Sequence, residues 1–267
     1  MRIALTGADG RIGRAVRPAL LREGHTLHST DLRAAAPLDA RETWTCGNLL
    51  EPAVIDRVLD GAEAVVHLAG NSNEQPVADL LQNNHRALAE LYEGARRHRL
   101  RRVVLASSNH AFGLHPVTRK LRLNDAYRPD TFYGLSKVWG EALARMYWEK
   151  HGIECVALRI GTFMGAPPRN RRELATWLGL DDLQQLVVKS LAAEAVGFAP
   201  VWGVSANTRA WVDLDEPNAI GYVPTQNAES FAADAMSSSG EPDPVAERYQ
   251  GGRFVTGDYT ADEDRPG

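Results

Sequence analysis

Apolar residues fall in two alternating rhythms along this chain. Short, nearly continuous apolar runs at residues 2–6, 25–30, 64–70, 101–107 and 153–160 read as strands buried on both faces. Between them lie longer segments whose apolar residues recur three and four apart: 14–22 (Val16, Leu20, Leu21), 52–59, 76–99 and 131–151 read as amphipathic helices. A short segment at 44–49 follows a polar loop rich in Ala and Pro. Strand and helix in alternation predict an α/β fold, a doubly wound parallel sheet with helices on both faces. Past Ile160 the rhythm weakens. Residues 110–129 read as a loop, 181–193 as a helix, 199–204 as a strand and 226–236 as a last amphipathic helix. From Ser237 onward Pro, Ser, Gly and acids dominate, and the end after Tyr259 is expected to be loose.

The first strand runs straight into Gly7-Ala8-Asp9-Gly10-Arg11-Ile12-Gly13, and a helix follows. Strand, glycine turn and helix N-terminus together make a dinucleotide-binding hypothesis. Gly7 permits a tight turn, Gly10 lets the backbone approach a pyrophosphate, and Gly13 lets the helix pack on the strand. The N–H groups at the helix start, near Arg11 and Ile12, are free to bind the anion. Asp31 closes the second strand, where an acid binds adenosine ribose hydroxyls and repels a 2′-phosphate, so NAD is expected over NADP. Arg33 is a counter-signal. Ala69 and Gly70 end the strand at 64–70 with small residues that let a cofactor lie close. The core is therefore expected to be of the Rossmann type.

The chemistry sits between Ala106 and Lys137. Ser107-Ser108-Asn109-His110 follows the apolar run Val103-Val104-Leu105, and Tyr133-Gly134-Leu135-Ser136-Lys137 opens a helix. A Tyr and a Lys four apart share a helix face, one turn from each other. Tyrosine ordinarily titrates near pH 10, and bringing it to about 7 takes roughly 4 kcal/mol of preference for the phenolate. A neighbouring ammonium and a bound oxidised nicotinamide both act in that direction. Ser108 can hold a substrate oxygen for proton transfer, so the trio is equipped to oxidise an alcohol. Asn84, on the helix at 76–99, is placed to support this turn through a hydrogen bond.

Composition narrows the class. A net charge of -4 over 267 residues, without a basic stripe, argues against a nucleic-acid partner. Two cysteines, Cys46 and Cys155, make no disulfide framework, and both are expected to be buried and inert. His67 reads as a packed core histidine, and the eight His show no metal-ligand spacing. The first strand begins at residue 2 and no apolar run reaches about 18 residues, so no signal peptide and no membrane association are expected, and the cytoplasm is the expected compartment.

These residues resemble the short-chain dehydrogenase/reductase superfamily, in the extended branch shared with the nucleotide-sugar epimerases. Along nearly the whole chain they are similar to the uronate dehydrogenases. The segments carrying the likeness are 107–110, 133–137, Arg159-Ile160-Gly161-Thr162, Thr176-Trp177, Val201-Trp202-Gly203-Val204-Ser205-Ala206-Asn207 and Gln250-Gly251-Gly252. The resemblance implies NAD-dependent oxidation of hexuronic acids, glucuronate or galacturonate, at C1 to an aldarolactone. It implies Tyr133 as base, Lys137 tuning it and binding the nicotinamide ribose, and Ser108 positioning the C1 oxygen. Ser72, Asn109, His110 and Thr162 are then expected on the sugar, and Arg172 on its carboxylate, with Arg171 as a rival. Leu32, Asn48, Leu49, Leu68, Ser107 and Ile160 join the cofactor residues by the same likeness.

Thr162 stands where the family usually has Ser, and Asn48 where it usually has Asp. The likeness implies a homo-oligomer, in keeping with apolar faces on the helices at 76–99 and 131–151. Residues 1–160 are thus expected as the NAD-binding and catalytic core, and 161–267 as a small substrate-binding and C-terminal region packed on the same domain. Two alternatives remain in view. A nucleotide-sugar epimerase or dehydratase shares the Tyr/Lys pair but resembles longer chains, and a non-catalytic NAD-binding protein would have lost Tyr or Lys.

Overall fold

In the computed structural model, which describes residues 1–237, 243–257 and 259–260, seven parallel strands form one sheet in the order β3-β2-β1-β4-β5-β6-β7. They are β1 (Arg2–Thr6), β2 (Thr26–Asp31), β3 (Glu42–Cys46), β4 (Ala64–His67), β5 (Arg102–Ser108), β6 (Glu154–Ile160) and β7 (Phe198–Gly203). The chain winds one way from β1 to β3, returns to pair β4 with β1, and winds the other way to β7. The strand order therefore reverses between β1 and β4, and the crevice beyond their carboxyl ends is where such sheets bind ligands.

Alternate residues of each strand feed opposite faces. Ile3, Leu5, Val66, Val104 and Val156 pack with Val16 and Leu20 of α1 (Arg11–Arg22) and Leu183 and Leu186 of α7 (Leu180–Ala192). Ala4, Val65, Val103, Leu105 and Cys155 pack instead with α2 (Pro52–Leu59), α4 (Ala87–Arg97) and α5 (Phe132–His151). This period of two explains why the strands read as continuous apolar runs: both faces are covered.

Several elements differ from the sequence expectation. Helix α1 begins at Arg11, three residues early, directly against the glycine turn. The helix expected at 76–99 is three pieces: α3 (Val77–Leu80), a π-helical stretch Leu81–Arg86, and α4. The π stretch carries Asn84, whose side chain ties back to Asn71. A short helix α6 (Arg171–Thr176), capped by Asn170, stands where a loop was expected. The helix expected at 226–236 is a 3-10 turn Ala228–Phe231, capped by Asn227, running into α8 (Ala232–Ser237). The loop at 110–129 opens with a 3-10 turn, Asn109–Phe112.

Cys155 is buried, but Cys46 is exposed at the end of the edge strand β3. An edge strand has a neighbour on one side only, so an apolar run there does not guarantee cover. Within the stretch rich in Pro, Ser, Gly and acids, residues 243–257 carry α9 (Pro244–Arg248), capped by Asp243, and a bridge from Tyr249 to Pro116. The loose end expected after Tyr259 falls on 260–267, of which 261–267 lie outside the described residues.

Candidate active site

The glycine turn is as tight as its spacing demands. Gly7 has a φ of +68°, and a Cβ there would lie 2.7 Å from the Ala69 nitrogen. A Cβ on Gly13 would overlap the Gly7 carbonyl oxygen, so α1 meets the turn backbone to backbone. Gly10 is different: a Cβ would touch only the Gly7 oxygen, at 3.1 Å, leaving its other side open to a ligand. Gly10 also caps α1 without a side-chain bond, so the first-turn N–H groups remain free for an anion.

The cleft that follows holds about 280 Å³ and is lined by Gly7, Gly10, Asp31, Leu32, Asn48, Leu49, Leu68, Ala69 and Gly70. Asp31 is held rigidly, accepting from the Asp9 nitrogen at 3.0 Å and the Leu32 nitrogen at 2.8 Å. Open backbone at the helix start and a fixed carboxylate at the far end fit a dinucleotide with an unphosphorylated ribose. Thr30, Asn71 and Asn83 line the same cleft and were not expected there; Asp9 of the glycine turn and Arg33, the counter-signal, line it too. Ser107 and Ile160 do not face it: the Ser107 hydroxyl donates to buried Glu141 at 2.5 Å, and Ile160 belongs to the core.

Tyr133, Lys137 and Ser108 converge at the ends of β5 and α5. Thr131 caps α5 by accepting from the Gly134 nitrogen, which sets the phase of the helix and aims Tyr133 inward. Asn84 donates to the Ser136 hydroxyl at 3.0 Å, and Ser136 donates to the Tyr133 carbonyl at 2.7 Å. The expected support of the catalytic turn by Asn84 thus runs through Ser136. Lys137 Nζ lies 5.5 Å from the Tyr133 ring centre.

The electrostatics depart from the sequence expectation. Burial pushes the Tyr133 hydroxyl up to about 12, against a lowering hydrogen bond from Ser108. Burial likewise brings Lys137 down to about 8. The protein alone therefore holds a neutral tyrosine; Lys137, still charged below about pH 8, and the positive nicotinamide ring that NAD would bring are the charges that favour the phenolate.

Beside Tyr133, whose ring centre is 5.8 Å from that of His110, lies a polar cluster built from three segments. His110 Nδ1 is 2.6 Å from buried Asp130, and its Nε2 accepts from Arg172 at 3.3 Å. Arg172 also donates to the Gln250 carbonyl at 2.9 Å and to the Thr162 hydroxyl at 3.3 Å. Phe254 packs on His110 with ring centres 3.9 Å apart. Arg171 points away, exposed and 3.5 Å from Glu247, so of the two arginines Arg172 is the one that joins this cluster. Asn109 is buried beside His110, whereas Ser72 is exposed on the loop after β4. Asp130 and Phe254 escaped the sequence reading, and Gln250 entered it only within a family-like segment, without a site role. Asp130 is visible in retrospect only as the residue before a helix cap, and Phe254 lies in a stretch read only as rich in Pro, Ser, Gly and acids.

Comparison with known proteins places this geometry. The NAD dependent epimerase/dehydratase family model matches residues 3–215. The uronate dehydrogenase of Pseudomonas syringae pv. tomato is 38% identical over 95% of this chain and 93% of its own length. Among solved structures, a mutant uronate dehydrogenase from Agrobacterium tumefaciens complexed with NAD superposes with a TM-score of 0.90 at 38% identity, covering 95% of this chain and 96% of that one. The glucuronic acid dehydrogenase from Chromohalobacter salexigens gives 0.89 at 37% identity, over 95% and 96% of the two chains. Nucleotide-sugar epimerases share the fold at a distance: the UDP-glucuronic acid 4-epimerase of Bacillus cereus is 19% identical, with a TM-score of 0.65.

Proposed function

The chain belongs to the uronate dehydrogenases within the NAD dependent epimerase/dehydratase family, and from that membership we propose how its own residues oxidise a hexuronate such as glucuronate or galacturonate at C1. NAD, which the glycine turn at Gly7–Gly13 and Asp31 would hold, would supply the hydride acceptor. Ser108 holds the C1 oxygen, Tyr133 takes the hydroxyl proton, and an aldarolactone results. Lys137 keeps a positive charge near the developing phenolate and binds the nicotinamide ribose. Asn109 and His110 contact the sugar from the end of β5.

The observation that carries the reading is the placement of Arg172. A guanidinium held by Gln250 and Thr162 beside Tyr133 suits the carboxylate that distinguishes a uronate from a neutral sugar. A nucleotide-sugar epimerase must instead hold a nucleoside diphosphate. Residues 161–267 act as the substrate-binding region through Thr162, Arg172, Gln250 and Phe254. Exposed Leu81, Phe132, Leu135 and Met146 on neighbouring helices support a homo-oligomer. Among the described residues no helix is long and apolar enough to cross a membrane, and a cytoplasmic enzyme is part of the same reading.

The test is reduced-nicotinamide formation with NAD and glucuronate, galacturonate, glucose, galactose or UDP-glucose. Turnover of the two uronates and not of the others is expected. Silence with both uronates would overturn the substrate assignment.

A further inference from the structure

We propose that Asp130 is a positioning residue for uronate recognition, fixing the tautomer of His110 and through it the orientation of Arg172. The proposal rests on Arg172 taking the substrate carboxylate.

The argument is one of donors and acceptors. The Asp130 side chain is fully buried; Oδ2 lies 2.6 Å from His110 Nδ1, and Oδ1 accepts from the Thr131 hydroxyl at 2.9 Å. An ionised carboxylate only accepts, so His110 Nδ1 carries the hydrogen. A neutral imidazole then has a bare Nε2, and that atom faces an Arg172 nitrogen at 3.3 Å. Arginine only donates, so this tautomer alone makes both contacts. The opposite tautomer would set N–H against N–H at Arg172 and a lone pair against Asp130. Arg172 has five N–H groups, and Gln250, Thr162 and His110 take one each from three different nitrogens. One N–H on each terminal nitrogen is left for a carboxylate.

The packing around Asp130 fits a dedicated place for this carboxylate. A Cβ on Gly113 or Gly251 would overlap its Oδ2, and one on Gly134 would come within 3.0 Å of its Oδ1. Three segments, the turn after β5, the start of α5 and the C-terminal stretch, thus close on one buried acid. Asp130 makes no hydrogen bond to Arg172 or to the Tyr133 hydroxyl in the bonds described above, although its charge raises both groups; its hydrogen-bonded route to Arg172 runs through His110.

Two measurements decide the proposal. In full-length protein labelled with 15N at histidine, His110 (assigned with a His110→Gln variant) should show hydrogen on Nδ1 and none on Nε2. Hydrogen on Nε2 would overturn it. In steady-state kinetics, Asp130→Ala should raise the KM for glucuronate about tenfold or more, the loss of roughly one charge-assisted contact. kcat should fall less, and NAD affinity should stay within about twofold of the wild type. Asp130→Asn should fall between the two and serves if the alanine variant does not fold. On an Arg172→Ala background the same Asp130 change should have little further effect on kcat/KM for glucuronate. An unchanged KM in the single variant, or an equal loss on both backgrounds, would overturn the proposal. Wild-type silence with uronates would overturn the substrate reading alone, and the His110 tautomer would still decide the role of Asp130.

Discussion

Lys137 Nζ donates to the backbone carbonyl of Ala106 at 3.0 Å, anchoring the ammonium of α5 to the end of β5. The bond fixes the cation beneath the Tyr133 ring at the cost of drawing it out of water, and burial wins.

Lys137→Met should therefore be inactive yet more stable near neutral pH. The folded value is about 8 against an ordinary 10.5. Between those values the unfolded chain holds a proton that the folded chain lacks, so wild-type stability rises with pH across that window. Below pH 8 the buried charge is a constant penalty, on the order of 3 kcal/mol. Thermal melts should show the variant ahead at pH 7, with its lead shrinking from about pH 8 upward. A variant that melts below the wild type at pH 7 would show that the Ala106 bond outweighs the burial cost.

Tyr133→Phe keeps the ring and removes the hydroxyl. Turnover should drop by about a thousandfold, the scale of a lost general base. NAD affinity, followed by calorimetry, should stay within about twofold, since the dinucleotide cleft is formed without the hydroxyl. Retained turnover would remove Tyr133 from the chemistry.

Adjacent arginines make a paired test. Arg172→Ala should lower kcat/KM for uronates about a hundredfold or more, the scale of a lost bidentate charge-assisted contact. Arg171→Ala should leave it within about twofold, because that side chain is exposed and faces Glu247. Equal losses would mean that α6 presents both residues to substrate.

Gly251→Ala tests the C-terminal stretch. The added methyl would overlap Asp130 Oδ2, so the segment must lift and withdraw the Gln250 carbonyl from Arg172. A raised KM for uronate with unchanged NAD affinity is expected. Gly257→Ala, where a Cβ meets nothing within 4 Å, should behave as wild type.

The sheet and the cofactor cleft were legible because their signals are local. A parallel strand covered on both faces is a continuous apolar run wherever it falls, which is why β1, β5 and β6 were placed to within one residue and β4 to within three. The Gly7, Gly10 and Gly13 spacing carries its own mechanism, since backbone approach depends on residues a few positions apart. Where the local signal was ambiguous the reading slipped: the apolar period at 76–99 cannot reveal a π-helical stretch, whose extra residue per turn is held by the Asn84 contact with Asn71.

Pattern and spacing were thus enough for an α/β dehydrogenase with a Ser, Tyr and Lys at the ends of β5 and α5. The choice between Arg171 and Arg172 belonged to the fold. Neighbours on a helix point about 100° apart, so the phase of α6, set by the Asn170 cap, decides which one turns inward. The same holds for Asp130, Gln250 and Phe254, brought together from positions up to 124 residues apart: Phe254 meets His110 only because Tyr249 pairs with Pro116 and Gly251 closes on Gly113. The protonation of Tyr133 and Lys137 also depended on the assembled structure. Spacing places charges on one face, but burial, which no short stretch of sequence encodes, sets what it costs to ionise them.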